Sequence, residues 1–195
     1  MTSIMSSRQA AELDHAFERN GFDARDVKKL SEGDILAKIL PVIKGSGKMA
    51  VKSGEVVIEH FIDCNADPLI FKGWEVENHQ KSDQLKWDPK KILLHLDETQ
   101  KNEGIRGKDL RKKLKDTSVL NANVLDYLLA NPHLIPDEWK DVSICIIFWG
   151  TIYRHPNGYV CVRFLNWDGI SWYGGDFSLS HHNFYLGEFA ALLIK

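Results

Sequence analysis

The chain has 195 residues and a mass of 22.3 kDa, and 44% of its residues are hydrophobic and 27% charged. That length accommodates one large or two small domains with a sizeable apolar core. The formal net charge of −2 excludes a general electrostatic attraction to nucleic acid or acidic membranes. The longest apolar run, residues 144–149, is too short to span a bilayer as a helix.

Cysteine usage and the start of the chain bear on the compartment. The three cysteines are an odd and sparse set, which argues against a disulfide scaffold. Residues 1–8 contain no apolar core of the signal-peptide type. We therefore expect a cytoplasmic protein without a membrane segment, and no pattern of ligand spacing predicts a metal or an organic cofactor.

The first forty residues carry three helix-start signals. Ser6, Asp23 and Ser31 each precede apolar residues at helical spacing, and a Gln or Asp follows each of them three residues later. Pro41 is expected to kink or shorten the last of these helices. The Gly45-Ser-Gly47 joint then predicts a boundary between a helical segment, 1–44, and a larger domain, 45–195.

The middle of the chain mixes strand and helix patterns. Short basic and apolar helices are predicted at 108–115 and 123–130, the second capped by Asn121 or Asn123 and stopped by Asn131-Pro132. Three or four strands precede them, at 55–64, 74–79, 84–87 and 91–96.

The last third of the chain is aromatic and strand-rich. From Trp139 onward lie thirteen of the twenty Trp, Tyr and Phe residues. The turns His155-Pro-Asn-Gly158 and Asp168-Gly169 divide residues 143–177 into three strands of an antiparallel meander. Helices first, strands in the middle and a meander packed on the 123–130 helix together predict an α+β fold.

A trial register for the meander yields a candidate binding site. Pairing Arg154 with Tyr159 and Trp167 with Ile170 makes both faces of the sheet apolar, so neither face is simply open to water. In this register Arg163 lies between Gly150 and Gly174. The glycines leave space above the sheet, which predicts a shallow slot for a ligand or a partner. Its candidate residues are Tyr159, Arg163, Trp167, Trp172 and Asp176.

The alternative at that site is structural. Arg163 could instead pair with Asp176 and stack under aromatic rings to satisfy a covered sheet. The same register places Cys161 opposite Ile152 and Cys145 opposite Asp168, on opposite faces and on the order of 20 Å apart at about 3.3 Å per residue. Both thiols are therefore expected to be reduced, buried and inert.

Two other functions compete with a non-enzymatic binding or protein-interaction module. The first is a hydrolase-type enzyme that uses Cys64 with His60, or the group His181, His182 and Asp176, since these residue types can act as nucleophile and base. The second is weak nucleic-acid association through the basic run 108–115, whose cations share one face of a helix; solvated lysine faces are common, and no groove-reading motif accompanies this one. Oligomeric state is left open.

One resemblance accompanies these patterns. Three stretches carry it: Leu120-Asn-Ala-Asn-Val-Leu-Asp-Tyr-Leu-Leu-Ala-Asn-Pro-His-Leu-Ile-Pro-Asp-Glu-Trp-Lys140, then Phe148-Trp-Gly-Thr-Ile-Tyr-Arg154, and a Trp-Asp-Gly turn. They resemble a group of uncharacterised bacterial proteins common in candidate-phylum genomes. The resemblance extends from about Ile62 to the C-terminus and implies a bacterial source. It implies no activity and no catalytic residue. The chain departs from that group at 178–184, where a segment richer in Trp and Asp is expected.

Overall fold

The structure is a computed structural model that describes residues 4–33, 35–52 and 55–194, and it shows an α+β protein. The chain divides into two compact units, Met1–His60 and Phe61–Lys195. The division follows residue 60, whereas the sequence predicts a boundary after residue 44. The boundary differs because a β-hairpin that begins at Gly47 packs with the preceding helix. Gly47 lies so close to Pro41 that an added Cβ would be 2.9 Å from the Pro41 Cβ.

The first unit consists of three helices and the hairpin. The predicted capping boxes at Ser6 and Asp23 are present. Each side chain accepts from the amide three residues later, and the Ser6 and Asp23 amides donate in return to the side chains of Gln9 and Asp26. The third predicted start includes Asp34, which lies outside the described residues. Pro41 lies inside its helix, which continues to Ile43. The elements are α1 Ser7–Arg19, α2 Ala24–Ser31, α3 Ile35–Ile43, β1 Gly47–Lys52 and β2 Glu55–Ile62.

The second unit is built on a six-stranded sheet. Its order is β5-β11-β7-β8-β9, with β3 also paired to β7 and with β11 and β7 parallel. Short pairs join the end of β2 to β4 and β6 to β10. The elements are β3 Glu75–His79, β4 Leu85–Lys86, β5 Ile92–His95, α4 Glu98–Asn102, β6 Ile105–Arg106, α5 Gly107–Lys113, α6 Ala122–Ala130, β7 Cys145–Arg154, β8 Val160–Trp167, β9 Trp172–Ser178, β10 Asn183–Phe184 and β11 Glu188–Leu193.

The three-stranded meander is present, but its predicted register is wrong at both turns. Arg154 pairs with Val160 rather than Tyr159, because the His155 amide donates to the Tyr159 carbonyl and leaves a three-residue loop ending in Gly158 at φ +86°. Trp167 pairs with Trp172 rather than Ile170, because the Asp168 carboxylate accepts from the amides at 170 and 171 and widens the turn.

An irregularity in β7 changes which side chains share a face. Between Ile147 and Ile152 the register with β8 shifts, and the Gly150 backbone instead bonds to Leu120 and Gln80. Ile152 therefore packs with Val162, and Tyr153 packs with Cys161. The sequence predicts the reverse assignment for these two residues, since a shift of one residue exchanges faces.

Helix α6 packs against one face of the meander, as predicted. Its Val124, Leu125 and Leu128 side chains are fully buried in a cluster with Phe148 and Leu165 of the sheet. The helix begins at Asn121, whose side-chain amide donates to the carbonyls of Cys64 (3.0 Å) and Gln80 (3.1 Å). The Ala122 amide donates to Thr151 Oγ1 of β7 at 2.9 Å, and this bond holds the start of α6 on the sheet.

The opposite face is covered by α5 and the C-terminal strands. Leu110 and Leu114 pack there against Ile147, Trp149 and Val162. Both faces of the meander are thus buried over most of their area, and the apolar composition of both faces is explained by the protein's own chain. None of the helices in residues 4–33, 35–52 and 55–194 has the length and apolar composition needed to cross a membrane.

All three cysteines are free. Cys161 lies opposite Tyr153 and Cys145 opposite Asn166, so both predicted partners change with the register. Cys161 is fully buried and Cys145 half-buried, and they pack into different clusters. Burial raises the pKa of each of these two thiols to about 12.

Candidate functional site at the β9 edge

Arg163 lies at the base of a small slot in the sheet, directly opposite Asp176 of β9. Only 6% of the residue is exposed. Its Nη1 donates to Asp126 Oδ1 of α6 at 2.7 Å, and its Cζ lies 4.8 Å from the centroid of the Phe71 ring. The guanidinium is therefore already neutralised by a carboxylate and covered by an aromatic ring.

The walls of the slot come from the loop before β3. Phe71 and Trp74 contact each other edge to face, with ring centroids 5.3 Å apart. Trp74 is held in turn by Tyr153 (5.6 Å) and His155 (5.1 Å). The slot has a volume of about 260 Å³ and is lined by Phe71, Trp74, Arg163, Gly174, Gly175 and Asp176.

Tyr159 supports the slot from one side. Its hydroxyl donates to Asp176 Oδ2 at 3.3 Å, and its ring stacks on His155 at 4.4 Å. Burial, followed by the neighbouring Asp176 carboxylate, raises the pKa of Tyr159. The carboxylate of Asp176 makes no ion pair within the described ranges 4–33, 35–52 and 55–194, and it accepts hydrogen bonds from the Tyr159 hydroxyl and the Cys161 thiol.

The two glycines on β9 are needed for packing as well as for access. A Cβ at Gly174 would lie 3.0 Å from Leu129 Cδ1 of α6, and one at Gly175 would lie 2.5 Å from the Phe164 ring. Gly174 is exposed and Gly175 half-buried. The missing side chain of Gly174 keeps the β9 end of the slot open, whereas that of Gly175 leaves room for the Phe164 ring on the other face.

Trp167 and Trp172 lie outside the slot. They pair with each other at the far end of the hairpin, with ring centroids 5.4 Å apart, and Lys140 Nζ lies 5.5 Å from the Trp167 ring centroid. Trp172 packs against the α6 cluster. The structure thus brings together Tyr159, Arg163 and Asp176 of the predicted set, and Phe71 and Trp74 take the place of the two tryptophans.

The slot borders two features that are open to solvent. Strand β9 is at the edge of the sheet, and no other strand in the described part of the chain pairs with its outer side. Beside it, the loop before β3 exposes three consecutive apolar residues: Leu69 by 56%, Ile70 by 55% and Phe71 by 37%. This apolar loop was visible in the sequence as Pro68-Leu-Ile-Phe-Lys-Gly73, an apolar run between turn residues.

The predicted thiol site does not have the surroundings of a nucleophile. Cys64 is 2% exposed and belongs to the α6 cluster, and burial raises its pKa despite a hydrogen bond with Ser82. His60 belongs to the other compact unit.

The predicted group of His181, His182 and Asp176 is not assembled. His182 lies on the opposite face of β9 from Asp176, stacked on Phe177 at 4.1 Å with its Nε2 2.7 Å from Glu188 Oε1. His181 is exposed and contacts Ser178 Oγ through its Nδ1 at 3.1 Å. Asp176 points instead to the Arg163 face.

Comparison with known protein families, curated proteins and solved structures finds no match to this chain. The resemblance to uncharacterised bacterial proteins therefore stays a prediction. Within residues 4–33, 35–52 and 55–194, no group of three or more His, Cys, Asp or Glu side chains is arranged to hold a metal ion.

Proposed function

We propose that this protein is a non-enzymatic interaction module that binds an extended segment of a partner protein along β9. The observation that carries the proposal is the juxtaposition of three features: an unpaired sheet edge, a preformed slot on that same strand, and the exposed loop 69–71 beside it. Each feature alone is common in proteins. Together they offer backbone pairing, a side-chain pocket and apolar contact area.

Strand addition supplies the main-chain part of such binding. The outer N–H and C=O groups of an edge strand can pair with an incoming peptide, while pockets for alternate side chains give selectivity. Strand β9 carries neither Lys nor Pro, the residues that often protect an edge from pairing. Tyr173 is 42% exposed on this strand and adds apolar surface.

The slot would select one side chain of the peptide. Arg163 is neutralised by Asp126, so the slot retains the charge of the Asp176 carboxylate. A carboxylate-bearing side chain is therefore disfavoured. Flat side chains that end in a hydrogen-bond donor suit the site best, because Phe71 and Trp74 can cover their faces.

Selection from a displayed library of random linear peptides tests this proposal, because the partner is unidentified. We expect enriched peptides to share apolar residues at every second position and one aromatic residue. Their affinity should fall about tenfold or more in Phe71→Ala and Ile70→Ser variants, since interface residues of this kind contribute on the order of 1–2 kcal/mol each.

The matched control is Ile170→Ser. Ile170 is 87% exposed in the turn before β9, so the same substitution removes apolar surface away from the slot. Peptides that bind wild type and Ile170→Ser equally, and Ile70→Ser weakly, support the proposal. Failure of any peptide to enrich, or equal binding to all three proteins, would reject it.

A further inference from the structure

The basic run predicted at 108–115 forms one wall of a groove. Helix α5 and the residues after it place Lys108, Arg111, Lys112 and Lys115 along this wall, opposite Glu77 and Asn78 of β3. The groove has a volume of about 490 Å³, and Val160 and Leu179 contribute apolar lining. It lies away from the β9 slot, with which it shares no lining residue.

The charges in this groove are not balanced. Glu77 is the lining carboxylate, and it is shared by Arg111 at 2.9 Å and Arg154 at 2.7 Å. Lys108 and Lys115 make no ion pair with any carboxylate in residues 4–33, 35–52 and 55–194. A protein of net charge −2 thus concentrates uncompensated positive charge in one concave site.

A buried donor without a partner adjoins the groove. Trp149 is 3% exposed, and its Nε1–H has no hydrogen-bond acceptor among the described residues. The indole lines a cavity of about 50 Å³ that also contacts Arg111 and Lys115, so the cavity continues from the basic wall.

We infer that the groove binds a small phosphorylated molecule, with Lys108, Lys115 and Arg111 around the phosphate groups and the Trp149 indole nearby. Phosphate oxygens accept from guanidinium and ammonium donors alike. The apolar lining at Val160 and Leu179 can contact the organic part of the molecule. The four lining cations lie within residues 108–115, a short span that suits a compact anion better than the backbone of a long nucleic acid.

Nitrogen-15 NMR of the indole signals tests this inference directly. Each of the six tryptophans gives one Nε1–H signal, and a Trp149→Phe variant identifies the signal of interest. The probes are inorganic pyrophosphate, adenosine triphosphate and a single-stranded oligonucleotide. Titration with pyrophosphate or adenosine triphosphate should shift the Trp149 signal, because the indole lines a cavity together with Arg111 and Lys115. The affinity should fall as salt is added.

The charge dependence has a matched control on the same helix. Lys108→Gln/Lys115→Gln should weaken binding by about tenfold or more, since charged hydrogen bonds contribute on this scale. Lys113→Gln removes the same charge from α5, but Lys113 contacts Asp97 at 2.7 Å outside the groove. The affinity of this variant for the phosphate probes should therefore stay within about twofold of wild type. The signal dispersion of each variant reports its folding.

Three results would overturn the inference. The Trp149 signal could stay unmoved by both phosphate probes. The double Lys variant could bind as tightly as Lys113→Gln. The oligonucleotide alone could bind, which would make the groove part of a nucleic-acid surface.

Discussion

Arg163 combines near-complete burial with a single short ion pair. Removing its side chain leaves Asp126, which is 26% exposed, without its guanidinium partner. Breaking such a pair from one side costs about 3 kcal/mol when both groups are buried, and somewhat less when one is partly solvated. The residue therefore has a structural role at the base of the slot. The sequence alternative proposed such a role under aromatic rings, but with Asp176 as the ion-pair partner, whereas the partner is Asp126 of α6.

We predict that Arg163→Ala lowers the free energy of unfolding by about 2–3 kcal/mol in urea titrations. Arg163→Lys should recover only part of this loss, because an ammonium cannot stack under the Phe71 ring as a planar guanidinium does. A change below about 0.5 kcal/mol for Arg163→Ala would show that the Asp126 contact is not maintained in solution.

The thiols provide a second prediction at this scale. With the pKa of Cys145 and Cys161 raised to about 12, both remain protonated through neutral pH, and only the thiolate reacts with a disulfide reagent. At pH 8 the thiols of the native protein should therefore remain almost unlabelled over the time in which those of the urea-unfolded protein react completely. Rapid labelling of Cys161 in the native protein would contradict its buried position.

At the level of elements, two glycines lie against α6 in different ways: Gly150 faces backbone atoms, and Gly174 faces a side chain. A Cβ at Gly150 would lie 2.9 Å from backbone atoms of Leu120 and Asn121, which cannot move without displacing the start of α6. A Cβ at Gly174 would meet the end of the Leu129 side chain at 3.0 Å, and that methyl group can rotate away.

Gly150→Ala should therefore lower the free energy of unfolding by about 2–3 kcal/mol, and Gly174→Ala by about 1 kcal/mol or less. Urea unfolding of the two variants under the same conditions provides the comparison. Equal losses for both, or a larger loss for Gly174→Ala, would contradict the docking of α6 on the β7 irregularity.

The elements that could be predicted from the sequence are those with local signals. The capped N-terminal helices, α6 and the three meander strands each carry their start, period and stop within a few residues. The register was wrong at the two turns because the His155 amide and the Asp168 carboxylate make bonds that change the loop lengths. Within β7 it was wrong because the Gly150 backbone bonds to Leu120, thirty positions away. Strand β11 was missed because its central residues are small and apolar without alternation.

The candidate site was predicted in part for the same reason. Arg163, Asp176 and Tyr159 come from adjacent strands, so strand pairing alone places them together. Phe71 and Trp74 come from a loop that precedes Arg163 by 89 to 92 residues, and no periodic pattern indicates where that loop packs. The available signal in the sequence was the apolar run 69–71 between turn residues, since three apolar residues in a turn region need a covering surface or a partner.

At the scale of the whole molecule, the second unit carries two separate concave sites of different chemistry. The β9 slot is aromatic, and its one arginine is neutralised by Asp126. The α5 groove is cationic and adjoins an unpaired indole donor. If a polypeptide binds at the β9 slot and a phosphorylated molecule binds at the α5 groove, each affinity is independent of the other ligand unless the shared sheet couples the two sites.

Amide hydrogen exchange along β9 tests the central claim most directly. The protein is exchanged with and without a peptide enriched in the selection, and the amides of Trp172–Ser178 are followed individually. Strand addition predicts that the outward-facing amides, every second residue of β9, become strongly protected, while those of the β5 edge do not change. Unchanged exchange along β9, or protection confined to β5, would contradict the account.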